Sequence, residues 1–115
     1  MLYPKRKMRK MIADGEYREA VALGRQLEPK YEKDHDFMFI MGSAYFIVED
    51  AKNAITYFEK ALDLKADDAE ALKLKTNAHL SLGQKEEALT MISRILEADP
   101  DDAEAQALLD ELQGV

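Results

Sequence analysis

The chain repeats itself at an interval of 34 residues, and that interval limits its fold more than any other feature. Residues 54–64 (AITYFEKALDL) match residues 88–98 (ALTMISRILEA), and residues 66–71 (ADDAEA) match residues 100–105 (PDDAEA). A third series recurs in step, as GEYREA at 15–20, EDAKNA at 49–54 and GQKEEA at 83–88. Within the repeat the apolar residues fall at helical spacing. Ala51, Ala54, Ile55, Phe58, Ala61 and Leu62 share one face of a helix expected over 51–64. Ala88, Leu89, Ile92, Ile95 and Leu96 do so over 86–97, and Ala105, Leu108, Leu109 and Leu112 over 103–113. One helical pair of this length cannot bury its own apolar face, so the copies must stack.

Composition agrees with a helical chain and removes several kinds of chemistry. Three prolines and five glycines interrupt the 115 residues, and no glycine forms a hairpin turn between strands. With 47% apolar and 34% charged residues the chain is expected to be globular and a single domain. It has no cysteine, which excludes disulfides, thiolate metal sites and cysteine nucleophiles. Sixteen Lys and Arg against twenty-three Asp and Glu leave a net charge of −7, which argues against nucleic acid as a partner. Apolar runs such as Phe37–Met41 fall far short of a membrane span, so no membrane insertion is expected. The basic N-terminal residues lack an apolar stretch behind them, so no signal peptide is expected and a cytoplasmic location is the simplest.

The period of 34 with two helices per unit resembles the tetratricopeptide (TPR) repeat. Unit two carries the family pattern best, at Met38, Met41, Gly42, Tyr45, Ala54, Phe58 and Ala61, with Ala66 in the usual proline position. Unit three has Leu72, Gly83, Ala88, Ile92 and Pro100, but Lys75, Thr76 and His79 stand for the usual Leu, Gly and Tyr. Unit one has Gly15, Tyr17 and Ala20, with Lys7, Met8 and Met11 at the corresponding first-helix positions. The resemblance implies an all-α, TPR-type α-solenoid of three antiparallel helix hairpins (1–34, 35–68 and 69–102). A capping helix (103–115) completes one domain spanning 1–115. Asp67 with Glu70 and Asp101 with Glu104 have the spacing of acidic capping boxes at two helix starts. Lys75, in the slot of Met41, is expected to lay its stem on apolar neighbours and carry its ammonium to water or an acidic partner.

No catalytic constellation is present: there is no G-x-S-x-G, no H-E-x-x-H and no glycine-rich phosphate loop. The two histidines sit at different phases of successive repeats, His35 at a helix start and His79 in the slot of Tyr45. Paired acids such as Asp67-Asp68 and Asp101-Asp102 recur at repeat boundaries, which marks helix starts rather than acid–base dyads. Neither an enzyme nor a cofactor is expected.

Binding is the remaining reading. Units one to three and the tail carry charges of +3, −4, −3 and −3, with a basic block at Lys5, Arg6, Lys7, Arg9 and Lys10. The block is read as a solvated helix face. Residues 37–48 (FMFIMGSAYFIV) are apolar nearly all round, so that helix must be covered on several sides. By resemblance, the concave groove receives Leu2, Lys5, Arg9, Ile12 and Ala13 from unit one. It receives Asp36, Phe39, Ser43, Phe46 and Ile47 from unit two, and Glu70, Lys73, Asn77, Leu80 and Ser81 from unit three. Taken singly, Phe39 and Phe46 are equally readable as core; their joint placement favours binding. A partner protein or peptide is therefore expected on Lys5, Arg9, Ile12, Phe39, Ser43, Phe46, Ile47, Lys73, Asn77 and Leu80. Partner affinity is assigned to Phe39, Phe46 and Ile47, and orientation to Lys73 and Asn77.

TPR domains that clamp chaperone C-terminal carboxylates use Lys and Asn in unit one, Asn in unit two, and Lys and Arg in unit three. The matching positions here are Lys5, Arg9, Ile40, Glu70 and Leu74. Only Lys5 agrees, which argues against that ligand. The alternative to an adaptor or assembly scaffold is self-association into homo-oligomers through the solenoid ends or the exposed apolar surface.

Overall fold

Aspartates spaced by 34 residues open three of the helices. In the computed structural model, which describes residues 3–114, the order is α1 (Pro4–Ala13), α2 (Tyr17–Leu27), α3 (His35–Ile47), α4 (Ala51–Leu64), α5 (Ala69–Ser81), α6 (Lys85–Ala98) and α7 (Ala103–Gln113). Asp34, Asp68 and Asp102 are the N-caps of α3, α5 and α7, their carboxylates accepting from the amides of Phe37, of Glu70 and Ala71, and of Ala105. The cap is thus the second aspartate of each Asp-Asp pair, one residue later than the capping-box spacing from Asp67 and Asp101 suggests. Asp68 and Asp102 have the extended backbone (ψ 100 and 101) that aims a carboxylate at the first helical amides. The helices expected at 51–64 and 103–113 form over those residues, and that expected at 86–97 gains one residue at each end.

The turns within each pair repeat as faithfully. Gly15, Glu49 and Gly83, each 34 residues from the next, all take positive φ (81, 65 and 72°) after the first helix of the pair. In each, the next residue's amide returns to the last turn: Glu16 to Met11, Asp50 to Tyr45 and Gln84 to His79, at 2.8–2.9 Å. This is a left-handed helix stop, which glycine makes without strain and glutamate does not. The other turn varies once. Pro29, where the later units have Asp63 and Glu97, removes an amide and closes the end of α2 as a 3-10 turn over Glu28–Lys30. Tyr57 Oη donates to Glu28, and Lys60 Nζ lies 3.0 Å from the same carboxylate, so α4 holds this turn down. Burial, then the Glu28 carboxylate, push the Tyr57 phenol well above its ordinary pKa, keeping it a donor.

Consecutive helices pack on one another, and the odd-numbered helices also touch, α1 to α3 and α3 to α5, in a body of 50 × 24 × 20 Å. The principal core gathers Met8, Phe37, Met38, Ile40, Met41, Tyr45, Ala54, Tyr57, Phe58 and Ala61. A second, aliphatic core of Leu62, Leu72, Met91, Ile92, Ile95 and Ala105 is closed by Leu108, Leu109 and Leu112 of α7. Side-chain volume is reciprocal across each pair. A Cβ on Gly42 would lie 2.6 Å from the Phe58 ring, so α3 is small where α4 is large. In the first pair the sizes reverse: Met8 stands on α1, and a Cβ on Gly24 of α2 would fall 2.8 Å from its methyl, and closer still to the Met41 sulfur of α3. The equivalent residues of the third pair are both of middle size, Thr76 and Ile92, and both are fully buried. Thr76 Oγ1 satisfies itself on the Leu72 carbonyl at 2.7 Å. Lys75 is 9% exposed and brings its ammonium 3.6 Å from Glu59. His79 is buried with Nδ1 2.7 Å from the Gln84 amide oxygen.

Two stability changes follow. Gly42→Thr should cost roughly 2–3 kcal/mol by overpacking against Phe58. Adding Phe58→Ile, which copies the third pair, should recover about half; additive losses in urea denaturation would disprove the reciprocity. Glu49→Gly should stabilise by about 0.5–1 kcal/mol by relieving the left-handed backbone, while Gly83→Ala should destabilise by about as much.

Candidate functional site

The face built by α1, α3 and α5 holds a cavity of about 410 Å³. Arg9 and Ile12 of α1, and His35, Asp36, Phe39, Ile40 and Ser43 of α3, form most of its lining; Asp68 and Glu70 complete it at the start of α5. The spacing explains the grouping: 35, 39 and 43 fall one turn apart on a single face of α3. Phe39 is half-buried, touches both main cores and meets Phe58 at a centroid distance of 6.0 Å. It stands in the lining as a partly buried aromatic wall.

Charge around this face is ordered by the repeat. Lys5 Nζ lies 2.8 Å from Asp34 and 3.8 Å from Asp36, and Arg9 lies 2.7 Å from Asp36. Lys73, 68 residues after Lys5, makes the equivalent pair, 2.8 Å from Asp102 and 3.6 Å from Glu104. Burial opposes the charge of Asp34, yet the Lys5 ammonium and the Phe37 amide outweigh it and hold its carboxyl below the ordinary value. The Lys73 ammonium, then the Ala105 amide, lower Asp102, and Asp102 in turn raises Lys73. The lysine and the N-cap aspartate of the following helix thus lock successive units together. The middle unit has Phe39 at the lysine position. Asp68 there meets His35, with Nε2 2.7 Å from Oδ2. The contact is one of distance alone, because that buried Nε2 makes no hydrogen bond.

Of the residues expected to bind, Arg9, Ile12, Phe39 and Ser43 come together in this cavity. Lys5 and Lys73 sit on the same face, each tied to a helix cap. Phe46 and Ile47 lie two turns beyond Phe39 along α3, about 10 Å, and one turn beyond Ser43. Both line a different cavity with Glu49, Ala51, Ser81 and Leu82. Phe46 is half-buried against Ala51, Ile55 and Ala78, while Ile47 is 42% exposed. Asn77 and Leu80 are half-buried on α5, and Leu2 lies outside the described residues. His35, Ile40 and Asp68 join the cavity without having been counted as binding residues. Comparing Lys5, Phe39 and Lys73 with Asp34, Asp68 and Asp102 is the sequence signal that distinguishes Asp68.

Among the described residues, no three or more His, Asp or Glu are placed to hold a metal ion, and no helix is long and apolar enough to cross a membrane. A family model for the tetratricopeptide repeat matches residues 45–112, more than half of the chain. No curated protein matches it. Similar solved structures include the first TPR of Spaghetti (RPAP3) bound to the HSP90 peptide SRMEEVD. It is 25% identical with a TM-score of 0.88, and the match covers 98% of this chain and 90% of that one. The first TPR domain of human RPAP3 is also 25% identical, with a TM-score of 0.83 and coverage of 98% and 89%. The MamA RS-1 ArsTM double mutant is 25% identical with a TM-score of 0.85; the match covers 95% of this chain and 61% of that one.

The cap locks make stability depend on acid pH. Asp34, Asp102 and Glu28, the last held down by Tyr57 and Lys60 against its burial, all have lowered values. Such groups stabilise the fold above the ordinary carboxylate range and lose that contribution as pH falls through their depressed values. Thermal stability should therefore be flat above about pH 5 and fall below about pH 4. Lys5→Met should cost about 0.5–1 kcal/mol at pH 7 and much less at pH 2. An equal cost at both pH values, measured by urea denaturation, would show that Lys5 acts through packing alone.

Proposed function

The chain belongs to the tetratricopeptide repeat family, and we propose that it is an adaptor or assembly module. It holds a segment of a partner protein, peptide or helix, in the groove along α1, α3 and α5. The observation that carries this reading is the open cavity in which Arg9, Ile12, Phe39 and Ser43 converge beside the half-buried Phe39 ring. An apolar wall of this kind gains by being desolvated, while the surrounding charges supply register. The peptide bound by the first TPR of Spaghetti (RPAP3) supports the same use of the fold here. The second cavity, with Phe46, Ile47 and Leu82, extends the groove toward the turn between α3 and α4 and offers a further apolar contact.

The test places a photoreactive phenylalanine analogue at Ser43, in the cavity, or at Thr56, on the exposed face of α4. Irradiation in the source cells should give a discrete partner adduct from position 43 and none from position 56. The adduct should fall at least tenfold with Phe39→Ala, since an aromatic anchor contributes about 2 kcal/mol or more. Phe58→Ala should instead lower the melting temperature sharply, by emptying a core position worth about 3–5 kcal/mol. Adducts from position 56 alone would move the interaction to the opposite surface and overturn the groove assignment.

A further inference from the structure

Two of the three N-cap aspartates on this face are matched by a lysine of the preceding odd-numbered helix, and the middle one is not. Lys5 meets Asp34 and Lys73 meets Asp102, both at 2.8 Å. Asp68 has Phe39 at the corresponding position, 34 residues from each lysine. Its Oδ1 accepts from the Glu70 and Ala71 amides. Among the described residues, its Oδ2 has as ionic neighbour only the His35 nitrogen that makes no hydrogen bond. That carboxylate lines the cavity of about 410 Å³.

We propose that the cavity receives a lysine or arginine side chain of an extended partner peptide. Its cationic head sits against Asp68 in the place that Lys5 and Lys73 take against the other two caps. The assignment rests on the groove reading above and adds the chemistry of the occupant. The lining favours this charge: Asp36, Asp68 and Glu70 face Arg9, which Asp36 already engages at 2.7 Å, and His35. Phe39, Ile12 and Ile40 offer apolar surface to the methylene stem of such a side chain. An acidic tail would meet three carboxylates there. A metal ion is disfavoured because no three of these acids and histidine converge on one point. The net charge of −7 steers a basic segment toward the protein from a distance.

The experiment titrates the isotope-labelled full chain, by amide NMR, with an acetylated pentapeptide of four leucines around a central arginine. The same peptide with citrulline or glutamate at its centre is the control. The arginine peptide should shift the amides of His35, Phe39, Ser43 and Glu70 and bind roughly tenfold tighter than either control at low salt. Asp68→Asn, which keeps a good N-cap, should remove most of that preference without lowering the melting temperature by more than a few degrees. Phe39→Lys, which supplies the missing ammonium from within, should block the arginine peptide. Equal shifts of the cavity amides by all three peptides would overturn the cationic occupant and leave the groove reading standing. Failure of every peptide to shift those amides would count against both. Unchanged discrimination in Asp68→Asn would also overturn the proposal, and it decides the matter if Phe39→Lys does not fold.

Discussion

Each helix pair depends on how closely two backbones approach at one crossing, and that distance is set by two side chains taken together. Gly42 lets α3 settle onto the Phe58 ring, while Gly24 makes room on α2 for Met8 and Met41. The pairs Met8/Gly24, Gly42/Phe58 and Thr76/Ile92 divide a similar volume in three different ways. Close-packed interiors penalise both voids and overlap, so the joint volume is constrained more tightly than either residue. The hairpins can then stack at one repeat spacing although no crossing is identical in sequence.

Charge works at the boundaries between the hairpins. An N-cap aspartate needs only one oxygen for the helix amides, and the fold uses the second to reach back to the preceding odd-numbered helix. Lys5 and Lys73 take that oxygen at the outer boundaries. These pairs are partly exposed, so each is worth little alone. Each nevertheless joins two successive units through a single carboxylate that also caps a helix.

Helix positions were legible in the sequence because the apolar spacing and the period agree, down to the end residues of α4 and α7. The residues that depart from the family pattern were harder to read. Met8 and Thr76 look like losses of a required glycine until Gly24 and Ile92, sixteen residues on, are taken as their partners. The caps were misplaced by one residue because two aspartates stand side by side and only backbone geometry selects the second. Four of the ten residues expected to bind converge in one cavity, since 39 and 43 share a face with Arg9 and Ile12 opposite. Phe46 and Ile47 share α3 but sit two turns beyond Phe39 and line a different cavity, a separation that groove positions taken from resemblance do not express. His35 and Asp68 escaped notice because each has an adequate local role, one starting a helix and the other capping one.

A helix cap is therefore also the least costly place to put a recognition charge. The backbone amides that Asp68 accepts fix its carboxylate before any ligand arrives, so little side-chain freedom remains to be lost on binding. A lysine at position 39 would spend the second oxygen on the scaffold, as it is spent at both neighbouring boundaries. Phenylalanine at that position leaves the oxygen to His35, whose Nε2 lies 2.7 Å from it, and adds an apolar wall to the cavity that both residues line. Stability lost at this one boundary is offset by Phe39 itself, which packs into both cores and meets Phe58. One residue difference within a repeating framework thus replaces a structural lysine–aspartate pair with an aromatic wall beside a fixed carboxylate, the seat we propose for a partner's cation.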